Sequence, residues 1–227
     1  MVVFQLPEEI VFPKPELADP DGLLAIGGDL SPQRLLTAYS IGIFPWSSEG
    51  EPILWWSLPQ RLILFPDNAK FSKSLLQRIK KQEFEIRVDT NFQKVIENCA
   101  SVNRKNQKRG TWITSDMIDA YIHLHELGFA HSFETYKNNE LVGGLYGLSL
   151  GKMFAGESMF YLQRDASKVA YYYLLQFALR HQFHFIDCQQ VTSHMKSFGA
   201  SVVKRRTFQK LLEKSLMFQT MIGKWEL

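Results

Sequence analysis

The chain carries only two cysteines, Cys99 and Cys188, among 227 residues. That is too few for a disulfide framework, and neither sits in a CxxC pair or at ligand spacing from histidines, so no structural zinc motif is built. Long apolar runs are also absent: no window approaches the roughly 18 uninterrupted apolar residues of a membrane span, and no membrane partner is expected. The opening MVVFQLPEEIVF lacks the basic lead and extended apolar core of a signal peptide, so a cytoplasmic protein with reduced thiols is expected. Gly27-Gly28 and Gly143-Gly144 form neither a Walker loop nor a GxGxxG fingerprint, so no nucleoside triphosphate is implied. His123 and His125 are too close in sequence to share one helix face as metal ligands, and no metal site is expected. Net charge is small, +3, and by itself implies no nucleic-acid partner. There is no internal repeat or low-complexity tract.

Apolar mass is plentiful. Hydrophobic residues make up 45% of the chain, enough for a full core without cross-links. Basic residues are clustered: KFSKSLLQRIKK (70–81) carries Lys70, Lys73, Arg78, Lys80 and Lys81 with no acid, and RKNQKR (104–109) adds more. On a helix Phe71, Leu75 and Ile79 face inward, leaving Lys70, Lys73 and Lys80 on another side. Such a stripe is either a solvated helix face or a phosphate-contact surface, and the second predicts steep salt dependence.

Glycine and proline punctuate residues 1–62, where one helix fits, with Ser31 as N-cap, Pro32 in its first turn and an end near Ser40. This part reads as a small N-terminal domain of turns and short strands that covers the remainder, 63–227. There the pattern predicts strand 61–65, helix 68–81, strand 85–89, helix 91–100 and helix 115–127 closing at Gly128. Three strands follow, 130–136, 140–149 and 152–160, joined by Asn138-Asn139 and Gly151-Lys152 in antiparallel hairpins. A helix 166–181, a strand 184–189, a helical turn 192–198, a strand 201–205 and a helix from Thr207 complete an α+β chain with a mixed central sheet. The order resembles the N-acetyltransferase (GNAT) superfamily, which implies acyl transfer at a split between two central strands. The turn Gln163–Ser167, however, has an acid and no glycine where a coenzyme A pyrophosphate would need a cradle.

Alternation along an extended strand puts Asp187 and Gln189 on one face and Cys188 on the other, so a carboxylate and an amide can grip an amine together. Cys188 with His194 as a thiol nucleophile is disfavoured by the same alternation. Glu157 is a second acid in an apolar strand. Trp46 and Trp112 follow the turn-like runs FPW and RGTW, where an indole can plug a seam or stack a base. Strict alternation separates Phe154 from Met159; a bulge near Gly156 would bring them to one face.

The runs GLLAIGGDLSP (22–32), GIFPW (42–46), RGTWI (109–113), GESMF (156–160) and Asp187-Cys188-Gln189 closely resemble the bacterial leucyl/phenylalanyl-tRNA–protein transferases. WWSLPQR (55–61) departs from that family's more usual WWSPxPR. The resemblance implies a GNAT-like domain moving leucine or phenylalanine, and methionine less well, from aminoacyl-tRNA to the α-amine of proteins beginning with Arg or Lys, marking them for N-degron proteolysis. It implies Asp187, Gln189 and Glu157 as catalytic residues, with Asp187 orienting the amine. Leu145, Phe154, Met159 and Ile186 would line an apolar side-chain pocket, with Ser158 and His194 in the same substrate-binding set. Trp46 and Trp112 would lie near the 3' adenosine, and Lys70, Lys73, Arg78, Lys80 and Lys81 against the tRNA. No cofactor is needed, because the ester is already activated, and a monomer is expected. A coenzyme A-dependent acyltransferase and a non-catalytic RNA-binding module are the rival readings.

Overall fold

The computed structural model describes residues 3–102 and 111–227, so the basic run 104–109 lies outside the described residues. Strands β1 (Phe4–Gln5), β2 (Leu23–Ile26), β3 (Phe44–Pro45) and β4 (Leu54–Trp56) form a small sheet in the order β1-β2-β4-β3. Helix α1 (Pro32–Ser40) starts where the sequence predicts, with the Ser31 hydroxyl accepting from Arg34 N. The GGDLSP run has a structural explanation. Arg34 is fully buried; its guanidinium donates to Asp29 (3.2 Å) and to the carbonyls of Pro7 (3.1 Å) and Glu8 (2.8 Å), with Gly28 lying against it. The motif therefore fastens the N-terminal arm to α1.

The larger sheet contains β5 (Gln60–Leu64), β6 (Glu85–Val88), β7 (Ala130–Lys137), β8 (Glu140–Leu150), β9 (Met153–Tyr161), β10 (Phe185–Asp187) and β11 (Ser201–Lys204), ordered β11-β5-β10-β9-β8-β7-β6. All neighbours are antiparallel except β9 and β10, which run parallel. Helices α2 (Lys73–Lys80), α3 (Phe92–Ser101), α4 (Ser115–Glu126), α5 (Ala166–Arg180), α6 (Ser193–Ser197) and α7 (Arg205–Leu216) complete the α+β architecture. Buried side chains of α3, α4 and the small sheet pack on one face of the larger sheet, and α5 with Trp225 on the other.

Two features of this sheet position the site. β9 and β10 pair only from Phe185 opposite Met153 to Asp187 opposite Ala155; β9 then continues on β8 without β10, and the central strands fork. Between β8 and β9, Tyr146 faces Ser158 but Gly147 faces Gly156, so Glu157 is the extra residue of a bulge. The bulge puts Phe154 and Met159 into one core and sends Phe160 to the other.

Two of the differences from the expected boundaries have a clear local cause. α2 begins at Lys73 rather than 68, because the Ser72 hydroxyl accepts from Leu75 N at 3.2 Å and stops the helix there, while Phe71 turns to pack on Tyr172 and Phe198. β10 ends at Asp187 rather than 189, because Gln189 takes a left-handed φ of +56°. No helix among the described residues is long and apolar enough to cross a membrane.

Candidate active site at the strand fork

Glu157 stands at the fork because the bulge removes it from the ladder. Its Oε1 accepts from the Tyr39 hydroxyl at 2.7 Å and from Gln189 Nε2 at 2.8 Å, and Tyr39 is hydrogen-bonded in turn to Tyr121. Oε2 is buried without a hydrogen-bond partner among the described residues. Burial pushes the carboxyl from 4.5 up to about 7; the bond from Tyr39 opposes this and the Asp187 charge adds to it. Burial also raises both phenols well above their ordinary range, so they remain protonated donors.

Asp187 is fully buried and paired with Arg61, whose Nε reaches Oδ1 (2.9 Å) and Oδ2 (3.1 Å) while Nη2 reaches Oδ2 (2.7 Å). The guanidinium lies between the rings of Phe44 (4.6 Å) and Phe208 (4.4 Å), and its Nη1 donates to Gly42 O at 3.2 Å. Asp187 Oδ1 also accepts from Gln189 N at 2.9 Å. Strand alternation therefore ends at Asp187 and does not carry the Gln189 side chain to the same face. Asp187 holds the backbone of Gln189, and its two oxygens are committed to Arg61 instead of facing an amine. Cys188, between them, has a thiol pushed up to about 12 by burial, the reverse of an activated nucleophile.

Two cavities meet at this cluster, with Gly156, Glu157, Cys188 and Thr192 lining both. One, of about 200 Å³, is flanked by Trp46 and Trp112 and carries Gln189. The other, of about 290 Å³, is mostly apolar, with Leu145, Ser158, Met159, Ile186 and His194 on its walls beside Tyr171, Leu174 and Met195. Phe154 departs from the expected wall position: it is fully buried in the layer behind, with its ring against Gly147 and 6.0 Å from that of Trp225. Lys70, Lys73, Lys80 and Lys81 are exposed. Arg78 differs, bonded to Glu83 (3.0 Å), Asp165 (3.3 Å) and Arg164 O (2.7 Å), and so ties α2 to the turn before α5.

Sequence reasoning missed Arg61, Tyr39, Tyr121, Tyr171 and Leu174. Arg61 had a signal, a charge heading the otherwise apolar RLIL strand, which demands a buried partner. Tyr171 and Leu174 share a face of α5 at helical spacing. Tyr39 and Tyr121 carry no local signal.

A mixed sheet that forks between parallel central strands, with a carboxylate–amide pair where two cavities join, offers the arrangement that an acyl-transfer enzyme needs to hold donor and acceptor side by side. A sequence model of the leucyl/phenylalanyl-tRNA protein transferase family matches residues 63–213, and one of that family's N-terminal domain matches residues 28–59. Curated relatives named leucyl/phenylalanyl-tRNA–protein transferase include one from Maridesulfovibrio salexigens, 52% identical over all of this chain and 94% of its own length. Another, from Desulfatibacillum aliphaticivorans, is 51% identical over all of this chain and 97% of its own. The crystal structure of FemX shares the fold alone, with TM-score 0.53 and 9% identity over 80% of this chain and 71% of that one. The chain belongs to the leucyl/phenylalanyl-tRNA–protein transferase family and is an aminoacyltransferase acting from aminoacyl-tRNA to protein.

Proposed function

We propose that this enzyme transfers leucine or phenylalanine, and methionine less well, to the α-amine of proteins beginning with Arg or Lys, in the cytoplasm and as a monomer, marking them for N-degron proteolysis. The observation that carries this reading is the junction itself: an apolar cavity of about 290 Å³ and a tryptophan-flanked polar cavity meet at Glu157. The first suits the aminoacyl side chain and the second the 3' adenosine and incoming amine. A smooth apolar wall discriminates weakly, about 1–3 kcal/mol per methylene, which accounts for methionine as a third substrate.

In this reading the amine nitrogen attacks the ester carbonyl, the carbon–oxygen bond to the ribose breaks, and the amine proton passes to the leaving oxygen. Gln189 donates through Nε2 to Glu157, which leaves its Oε1 to accept from the amine. Asp187 and Arg61 position Gln189. Glu157 near 7 lies close to an α-amine of about 8 and so can hold the proton in transit. Alignment of amine and ester supplies about 7–11 kcal/mol, and base help about 10²- to 10⁴-fold more. Residues 1–62 act as a small domain that brings Trp46 to the 63–227 transferase domain, and the α2 lysines meet tRNA phosphates. A coenzyme A donor is disfavoured by Asp165, a carboxylate at the α5 N-terminus where an anion would have to sit.

The test incubates the protein with radiolabelled leucyl-tRNA and peptides beginning with Arg or Ala, without ATP or coenzyme A. Selective labelling of the Arg peptide is expected. No transfer to either, with tRNA bound, would make this an RNA-binding protein.

A further inference from the structure

The segment after α7 lies beyond the span of the family model, which ends at residue 213, yet it is tied down at three points. Thr220 Oγ1 accepts from Gly151 N at 2.9 Å, Gly223 N donates to Gly128 O at 3.2 Å, and Trp225 N donates to Asp89 Oδ2 at 2.8 Å. These ties deliver the Trp225 indole, 3% exposed, into the core on the α5 side of the sheet. There it stacks on His131 at 3.5 Å and on Phe177 at 4.5 Å, and stands 6.0 Å from the ring of Phe154.

Phe154 also packs against the β8 backbone: a Cβ added at Gly147 would stand 2.5 Å from its ring. The ring thus has both Gly147 and Trp225 as neighbours. It belongs to the same buried cluster as Leu145, Leu174 and Ile186, and these three wall the apolar cavity. Close-packed interiors transmit a change of volume to the next layer, because few voids exist to absorb it. We infer that Trp225 is a specificity-determining residue: by backing Phe154 it sets the depth of the aminoacyl side-chain cavity from behind. The inference rests on the assignment of that cavity proposed above.

The test supplies leucyl-tRNA and phenylalanyl-tRNA, differently labelled, in competition for one Arg-initiated peptide, with wild-type protein, Trp225→Phe and Trp225→Ala. Removing bulk lets Phe154 retreat, so the phenylalanine-to-leucine product ratio should rise, by about three- to tenfold in Trp225→Ala and by less in Trp225→Phe. Truncating a buried indole can cost the fold, so Trp225→Phe, checked against the wild-type thermal midpoint, carries the decision. An unchanged ratio in folded Trp225→Phe, or parallel loss of both products, would overturn the inference and leave Trp225 as scaffold. Wild-type protein that transfers neither residue would instead sink the proposed reaction, an outcome read before any variant is compared.

Discussion

Two buried glutamates on one sheet are treated in opposite ways. Glu134 on β7 receives Thr90 N (3.0 Å), the Thr90 hydroxyl, Asn91 N (3.1 Å) and the Ser132 hydroxyl (2.6 Å), and so caps the start of α3, where Asn91 provides no side-chain cap of its own. Glu157 takes Tyr39 and Gln189 on one oxygen, with the Tyr121 hydroxyl also acting on the carboxyl, and its other oxygen is buried with no hydrogen bond in range among the described residues. A buried carboxylate with a full set of donors is scaffold. One left half-satisfied at a cavity junction retains capacity for a ligand, and burial moves its proton affinity toward neutrality.

The strongest way to break this contrast is to remove the donors from a third buried acid. Arg61→Met orphans Asp187, and breaking a buried pair from one side should lower unfolding free energy by about 3–5 kcal/mol in urea titrations and abolish transfer. Replacing Asp187 as well, with Leu, should recover stability without recovering transfer, since Gln189 N would then lack its acceptor. A double variant with normal turnover would show that the pair does not position Gln189.

Glu157→Gln tests the other side of the contrast. With its folded value raised from 4.5 to about 7, wild-type Glu157 favours the folded state below about pH 4.5, and that contribution is lost as pH rises through about 7. A neutral amide escapes the loss, so Glu157→Gln should be more stable than wild type above pH 7, by at most about 3 kcal/mol, with the two converging toward pH 4.5. Transfer should fall about 10²- to 10⁴-fold and lose its inflection near neutrality. Thermal midpoints that run parallel across this range would place Glu157 with Glu134 as scaffold. Glu134→Gln should do the reverse, destabilising by about 2 kcal/mol through loss of charge-assisted bonds while turnover per folded molecule stays unchanged.

Why the sequence disclosed one glutamate's surroundings poorly follows from chain distance. Elements were legible where local chemistry decides them: Ser31 and Pro32 start α1, and Asn138 and Asn139, both at positive φ, turn the β7–β8 hairpin. The bulge was legible too, because Gly156 sits in an otherwise apolar strand. What failed was decided by partners far along the chain. Tyr39 meets Glu157 across 118 residues, and Arg61 meets Asp187 across 126. Alternation could propose that Asp187 and Gln189 cooperate, but not that an arginine from β5 occupies the carboxylate. Nor could it show that a left-handed Gln189 leaves only its backbone within reach of Asp187.

The smallest expected effect repeats the contrast between committed and uncommitted groups on the surface of α2. Arg78 is spent on Glu83, Asp165 and the Arg164 carbonyl, whereas Lys73 and Lys80 are exposed. If tRNA phosphates lie along this helix, Lys73→Ala with Lys80→Ala removes two contacts and should flatten the slope of log affinity against log salt by about 1.5, each contact contributing about 0.7–0.9. Stability should hardly move, because exposed lysines contribute little to the fold. Arg78→Ala should instead lower the thermal midpoint by freeing the turn before α5, with a smaller change in salt slope. An unchanged slope in the double lysine variant would return that face to solvent, and a slope change confined to Arg78→Ala would mean that RNA approaches across the α5 turn rather than along α2.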